Sequence, residues 1–441
     1  MSRVHVMGAG GAGMSALARW YAQAGLEVSG CDLSPGPVVY QLRRQGIPVA
    51  MGHSPRHLDG VDRLVYSAAL PADNPELAAA RELGIPTLRR SEALAELTRG
   101  ADLAAVAGAH GKTTTTSMVG WVLQENGIDP TVMVGGQVTA WKGNYRPGSG
   151  PVVTEADEYD RAFLRLRPRW AAVTSFAAEH LECYGSMERL EAAFEFFLEL
   201  TPPGGSVVVP RGLERLARWA ERLGRKIVTT GPDADYHALG LGACGWGERY
   251  SIAGVQGVLP LPGLHNLENL ATATALCAEM GVAPADAVRA LESYPGVRRR
   301  TERIGALGGA SAVSDYAHHP DEIAAAISAL RRVTEGELLV VFQPHLYSRT
   351  NLLHREMGMA LAAADRVLVL PVYPAREKPL PGVSSTLVIK ACVEAGGRAE
   401  SCGMNELRER LGVPKGGTVV FMGAGTVDRA ARELAGEGGG R

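Results

Sequence analysis

The sequence predicts an α/β protein of three domains on mostly parallel sheets, and three observations carry that prediction. Short apolar strands alternate with helical stretches along all 441 residues, the rhythm of strand–helix–strand units. A glycine turn, Gly8-Ala9-Gly10-Gly11-Ala12-Gly13, separates a strand from a helix near the start. A second, Gly108-Ala109-His110-Gly111-Lys112-Thr113-Thr114, does the same further on. A chain this long exceeds one compact core, and the expected domains are 1–99, 100–296 and 297–441.

The first strand is expected over 4–7, with a helix over 14–24 after the turn and a second strand over 27–30, followed by Asp32. A G-x-G-x-x-G turn with an acid about 20 residues on is the dinucleotide fingerprint of a Rossmann-like domain. Taken alone it says NAD or FAD, yet the same turn takes any diphosphate. The next domain opens on a buried strand over 103–106, then the second glycine turn, then a helix through 117–123. Backbone N–H groups and the positive helix end there make a phosphate cradle, as in P-loop ATPases. Lys112 adds a point charge at the transferred phosphate, and the Thr113 hydroxyl suits Mg²⁺. The usual loop has a further glycine where Val106 stands; the pattern here is the shorter G-x-x-G-K-T. This domain also carries Glu155-Ala156-Asp157-Glu158-Tyr159-Asp160 and His180, and closes near Pro295-Gly296. The last domain has Asp315-Tyr316-Ala317-His318-His319-Pro320 and strands over 338–342 and 367–370. It ends on the turn Gly423-Ala424-Gly425, again Rossmann-like. His318 and His319 are read as strand neighbours facing opposite ways, and Asn266 as a helix cap.

Composition excludes several classes. The 45 basic and 47 acidic residues leave a net charge of −2, so no basic field exists to hold nucleic acid. No apolar run reaches the roughly 18 residues of a membrane span. Six scattered cysteines show no C-x-x-C spacing, which reads as a reduced cytoplasmic protein rather than a disulfide scaffold or a zinc site.

Seven motifs in order resemble the Mur ligase family. They are Gly8-x-Gly10-Gly11-x-Gly13-Met14-Ser15, Gly108-x-His110-Gly111-Lys112-Thr113 and Glu155-Ala156-Asp157-Glu158, then Pro262-Gly263-Leu264-His265-Asn266 and Asp315-Tyr316-Ala317-His318-His319-Pro320, and last Gln343-Pro344-His345 and Tyr373-Pro374-Ala375-Arg376-Glu377. The resemblance spans essentially the whole chain and points to the branch that adds L-alanine. It implies a UDP-sugar-binding first domain, an ATP-binding central domain and an amino-acid-binding last domain. It further implies UDP-N-acetylmuramate, L-alanine, ATP and Mg²⁺ as reactants and cofactors of a cytoplasmic enzyme, monomeric or homodimeric, in peptidoglycan precursor synthesis. By resemblance, Gly8, Gly10, Gly11, Gly13, Met14, Ser15, Asp32 and Ser67 face the UDP-sugar. Gly108, His110, Gly111, Lys112, Thr113, Thr114, Asn269, Arg300 and Asp315 face ATP. Thr113, Glu155 and His180 hold metal, Tyr316, His345 and Arg349 hold the amino acid, and Lys112, His180 and Arg300 are catalytic, Arg300 reaching the γ-phosphate on closure. Each has a plainer reading: a solvated acid for Glu155, an ordinary half-buried ring for His180, surface charge for Arg300 and Arg349, and a buried capping acid for Asp315.

Some positions depart from the family pattern. Ser175 and Ala177 replace polar groups near His180, Leu346 an arginine, Ser314 and Pro371 acids, and Thr301 an aromatic residue. No lysine lies between Lys142 and Lys226, so the carbamylated lysine of some relatives is absent, as in the L-alanine branch. Two other functions stay open at this level: a catalytically weakened Mur-like binder of UDP-sugar and ATP, and a nicotinamide oxidoreductase. Lys112 speaks against the last.

Overall fold

A computed structural model describes residues 2–436 apart from Ala69, Ala72, 178–180, Arg376 and Pro414, with only the backbone at Leu181 and Glu182. The chain falls into two compact units. The first comprises Met1–Ala238, Ile252–Val255 and Glu268–Leu291, and the second Leu239–Ser251, Gln256–Leu267 and Glu292–Arg441.

The first unit holds two sheets. Apolar Arg3–Met7 lies at the centre of a five-stranded sheet, flanked on one side by Glu27–Asp32 and Val49–Met51 and on the other by Arg63–Tyr66 and Thr87–Arg89. Every pair is parallel. The strand order reverses beside Arg3–Met7, so the turn at its carboxyl end opens onto the crevice where such sheets bind ligands. The second sheet has seven strands, ordered Lys226–Thr230, Ser206–Pro210, Trp170–Val173, Leu103–Ala107, Val152–Glu155, Thr131–Val138, Gly143–Arg146. Only the last pair is antiparallel. Leu103–Ala107 sits in the middle and is buried at every residue, as a strand covered on both faces must be. One apolar core joins the two sheets, running from Val4, Leu17 and Tyr21 to Leu103, Phe163 and Phe197. Polar contacts reinforce the joint. Arg19 Nη1 donates to Asn144 Oδ1 at 3.1 Å, Asn144 donates to the Ala12 carbonyl, and the Tyr145 hydroxyl bonds Gln23.

The second unit is built on a six-stranded sheet ordered Glu302–Leu307, Ala310–Asp315, Thr418–Met422, Leu338–Phe342, Arg366–Val369, Ala399–Ser401. All pairs but the first are parallel. Most of a small sheet, Leu239–Cys244, Gly247–Ile252 and Val255–Leu259, also falls here.

The structure moves some expected boundaries. The first helix is Ala12–Gln23 and the second strand runs on to Asp32. The phosphate-loop helix, Lys112–Glu125, starts at the lysine itself. The strand reading of His318 and His319 is corrected. Their strand ends at Asp315, and His319 caps the helix Pro320–Val333, because Pro320 pre-sets the first helical turn. Asn266 is not a cap either; inside the helix Leu264–Glu279, its Nδ2 donates back to the Pro262 carbonyl at 2.8 Å. Among the described residues no helix is long and apolar enough to cross a membrane.

Candidate functional site

The phosphate loop is a rigid object. Gly108 and Gly111 take φ of 132° and 83°, values that side chains resist. A Cβ at Gly108 would strike Thr174 and Ser175, and one at Gly111 would strike Asn269. Neighbouring elements thus close directly onto loop backbone. Ser175 Oγ accepts from the His110 N–H at 2.8 Å, while Thr174 Oγ1 donates to the His110 carbonyl at 2.5 Å. Thr115 Oγ1 donates to Asn269 Oδ1 at 3.3 Å. Thr113 and Thr114 occupy the buried first turn of the helix. Loop, lysine, threonines and Asn269 are therefore brought together, as expected.

Lys112 is already paired. Its Nζ lies 2.8 and 2.9 Å from the two Glu158 oxygens and 2.5 Å from the Gly108 carbonyl. The Glu158 side chain is only 2% exposed. Burial pushes the Glu158 carboxyl above its ordinary range. Burial works against charge on Lys112 too, but Glu158 outweighs it and lifts the ammonium above its usual value. A half-buried, charged lysine thus stands at the loop, oriented by a buried acid 46 positions away.

Oxygen donors gather beside it. Glu155 ends the strand next to Leu103–Ala107, in register with Val106, and accepts the Gly135 N–H. Asp157 accepts Arg90 Nη2 at 2.8 Å. The Thr113 hydroxyl and Glu155 carboxylate are hard donors of the kind Mg²⁺ takes, so these residues fit that ion. His180, the expected imidazole partner, lies outside the described residues.

The first glycine turn is shaped by the neighbouring strand. Gly8 and Ala9 N–H donate to the Cys31 carbonyl at 2.8 and 3.0 Å. Gly10 N–H donates to Asp32 Oδ2 at 2.8 Å, and Ser34 N–H to Oδ1 at 3.0 Å. Asp32 is thus committed to holding the turn. Gly11 caps the helix, whose first turns carry Gly13 and the buried Met14 and Ser15, and Ser67 stands against Gly8. Sequence reasoning missed Arg90: its side chain packs over Gly13 and reaches Asp157, linking the turn to the acidic motif. Its one signal is a place in a helical first turn, too common to single it out.

In the second unit, Asp315 is buried, its carboxyl pushed upward by that burial. Oδ2 accepts Thr301 N–H at 2.7 Å and Oδ1 accepts Ala317 N–H at 2.7 Å. A line of rings runs across the carboxyl ends of the strands. The Arg299 and Arg300 guanidiniums lie 4.7 and 5.3 Å from the Tyr316 ring centre. Tyr316 meets His318 at 5.2 Å, His318 meets His345 at 5.9 Å, and His345 stacks on Tyr373 at 5.7 Å. Arg349 Nη1 reaches His345 Nδ1 at 3.4 Å. Burial, helped by Arg349, lowers His345 to about 4, and burial lowers His318 to about 4. Both rings are neutral at pH 7. Tyr316, His345 and Arg349 are thus brought into one neighbourhood. Thr301, Ser314 and Ser175 do not leave gaps: Thr301 Oγ1 donates to Asp315, Ser314 Oγ to Asp428, and Ser175 clamps the loop.

Three family models match in order along the chain: Mur ligase family, catalytic domain, over 3–101, Mur ligase middle domain over 106–277, and Mur ligase, glutamate ligase domain, over 299–425. The chain belongs to the Mur ligase family. Among Mur ligases it is similar to the UDP-N-acetylmuramate–L-alanine ligase of Streptomyces avermitilis, 39% identical over 97% of this chain and 95% of the relative. The enzyme of the same name from Kineococcus radiotolerans is 44% identical over 90% of this chain and 87% of the relative. Among solved Mur ligases, the UDP-N-acetylmuramate–alanine ligase MurC of Thermotoga maritima superposes with a TM-score of 0.86 at 29% identity, covering 99% of both chains.

Proposed function

We infer that this chain is an ATP-dependent ligase that joins L-alanine to the lactyl carboxylate of UDP-N-acetylmuramate, a step in peptidoglycan precursor synthesis. One observation carries the reading: a preformed phosphate cradle with a half-buried, charged Lys112, in a chain similar over nearly its full length to L-alanine-adding ligases. We assign the UDP-sugar to 1–99, ATP to 100–296 and the amino acid to 297–441. The enzyme works in the cytoplasm, as a monomer or homodimer.

A carboxylate is a poor electrophile, so it must be activated. The lactyl oxygen attacks the γ-phosphorus, the bond to the β-phosphate oxygen breaks, and ADP leaves. The L-alanine nitrogen then attacks the acyl carbon, and inorganic phosphate departs as the nitrogen loses its proton. Negative oxygens crowd together in the first step, and preorganised cations lower its barrier. Glu158 keeps Lys112 charged and beside the loop, where the ammonium can turn to the phosphate. Gly108, His110, Gly111 and Thr114 supply the cradle, and Asn269, Arg300 and Asp315 are further nucleotide contacts. Thr113, Glu155 and His180 would hold Mg²⁺, which would supply neutralising charge to the phosphates. Gly8, Gly10, Gly11, Gly13, Met14, Ser15 and Ser67 face the UDP-sugar on a turn that Asp32 shapes. Arg349 fits the L-alanine carboxylate through a charge-assisted pair, beside Tyr316 and His345.

Phosphate release, measured with UDP-N-acetylmuramate, ATP, Mg²⁺ and each amino acid in turn, tests the reading. Release that requires the UDP-sugar and is fastest with L-alanine is expected. Release independent of the UDP-sugar, or none at all, overturns it.

A further inference from the structure

Below the first glycine turn, four metal-ligating side chains from four separate elements converge. They are His5 of the central strand, Cys31 of its neighbour, His57 of the short turn Pro55–Leu58, and Glu76 of the helix Pro75–Glu82. One ligand atom from each lies within 4.8 Å of all the others. His5 Nε2 is 3.0 Å and His57 Nδ1 3.2 Å from Glu76 Oε1, and Cys31 Sγ is 3.4 Å from Glu76 Oε2. Bonds of about 2.0–2.3 Å in a tetrahedron separate ligand atoms by roughly 3.3–3.8 Å. The Glu76 oxygens stand on that scale from the other three donors, at 3.0–3.4 Å.

We propose that His5, Cys31, His57 and Glu76 form a zinc-class metal site, separate from the nucleotide and amino acid sites. The donor set of two imidazoles, a thiolate and a carboxylate selects Zn²⁺ or Co²⁺ over Mg²⁺ and Ca²⁺. The surroundings match such a site. His5 Nδ1 lies 2.8 Å from Ser29 Oγ, the outer hydrogen bond that fixes the ring of a metal-bound histidine. Its buried Nε2 then points inward, 3.0 Å from Glu76 Oε1. Glu76 Oε2 is oriented by the Ser54 N–H at 3.0 Å. His53 Nδ1 lies 3.3 Å from Cys31 Sγ and 3.5 Å from Glu76 Oε2, adding a further imidazole at the edge. Met7, Leu58, Leu64, Leu77 and Ala80 wall the cluster off from water, while His57, 20% exposed, gives an ion its way in. Spacing along the sequence hides all this, since the four residues lie far apart and contain no C-x-x-C or H-x-x-H pair.

The test is a Co²⁺ titration of the chelator-treated full chain, read by absorption. A tetrahedral cobalt spectrum with a thiolate charge-transfer band, saturating at one equivalent and bleached by Zn²⁺ but not by excess Mg²⁺, is expected. Cys31→Ala and His57→Gln should abolish the band, and Ser29→Ala should weaken affinity by roughly 10–100-fold. Replacing the partly exposed Cys183 and Cys244 by alanine should leave the band intact. His57→Gln, altered at the exposed rim, carries the test if Cys31→Ala does not fold by circular dichroism. No thiolate band in the parent chain, or a band that survives His57→Gln, overturns the proposal.

Discussion

Removing Lys112 should do two separable things. Lys112→Ala takes one preorganised cation from the developing phosphate charge, so kcat should fall by roughly 10²-fold or more. It also strips Glu158, 2% exposed, of its cation. Breaking a buried pair from one side costs about 3–5 kcal/mol. The carboxylate can escape part of that cost by protonating, since burial already raises it. The sign follows: a group whose folded value lies above its unfolded value stabilises below the unfolded value and loses that contribution as pH rises through the folded one. The variant should therefore be least stable relative to wild type at pH 8 and recover toward pH 5. Lys112→Met combined with Glu158→Gln should restore most of the stability and none of the turnover. Urea unfolding across that pH range, with ADP release assayed in parallel, reads both effects. Turnover retained in Lys112→Ala, or a stability loss that Glu158→Gln does not relieve, refutes the reasoning.

Three further outcomes are expected. Ser175→Ala leaves the His110 N–H without its acceptor at a cost of about 1–3 kcal/mol, and should raise the KM for ATP more than it lowers kcat. Leu346→Arg should strengthen L-alanine binding by about 1–3 kcal/mol, seen as a lower KM; Leu346 already sits in a left-handed conformation with φ of 71° at the start of the helix Tyr347–Leu361, so the substitution adds no new backbone strain, and an unchanged KM counts against it. Below pH 6.5 the protein should lose stability, because His265, His318 and His345 are each lowered to about 4 by burial. Depressed histidines favour folding above their unfolded value, and that support drains as pH falls toward 4. Replacing His318 by asparagine should flatten the denaturation profile in that window, and an unaltered slope argues otherwise.

The parts legible in the sequence were those whose cause is local. A buried apolar run, a left-handed glycine and a lysine opening a helix lie side by side in the chain, so the phosphate loop could be read directly. Asp32 was found because its spacing from Gly10 is fixed by one strand–helix–strand unit, but its use in holding Gly10 and Ser34 was not visible. Glu158 could be named as part of an acidic motif, yet its pairing with Lys112 depends on two strands lying adjacent in the sheet. His318 and His319 were misread because a proline set the chain into a helix where strand alternation had been assumed. Arg90, whose place in a helical first turn is too common to count, Thr174 and the His5–Cys31–His57–Glu76 cluster were not legible, since each acts through residues remote in sequence.

Asn144, Tyr145 and Arg19 tie the first helix to the edge hairpin of the larger sheet, and one apolar core underlies both. The two glycine turns consequently ride on a common chassis. If the two turns hold the UDP-sugar and the nucleotide as proposed, the span between sugar acid and triphosphate is set once, when the polypeptide folds, rather than searched for at every catalytic cycle. Loosening that chassis, for instance with Asn144→Ala, would be felt as a slower phosphorylation step.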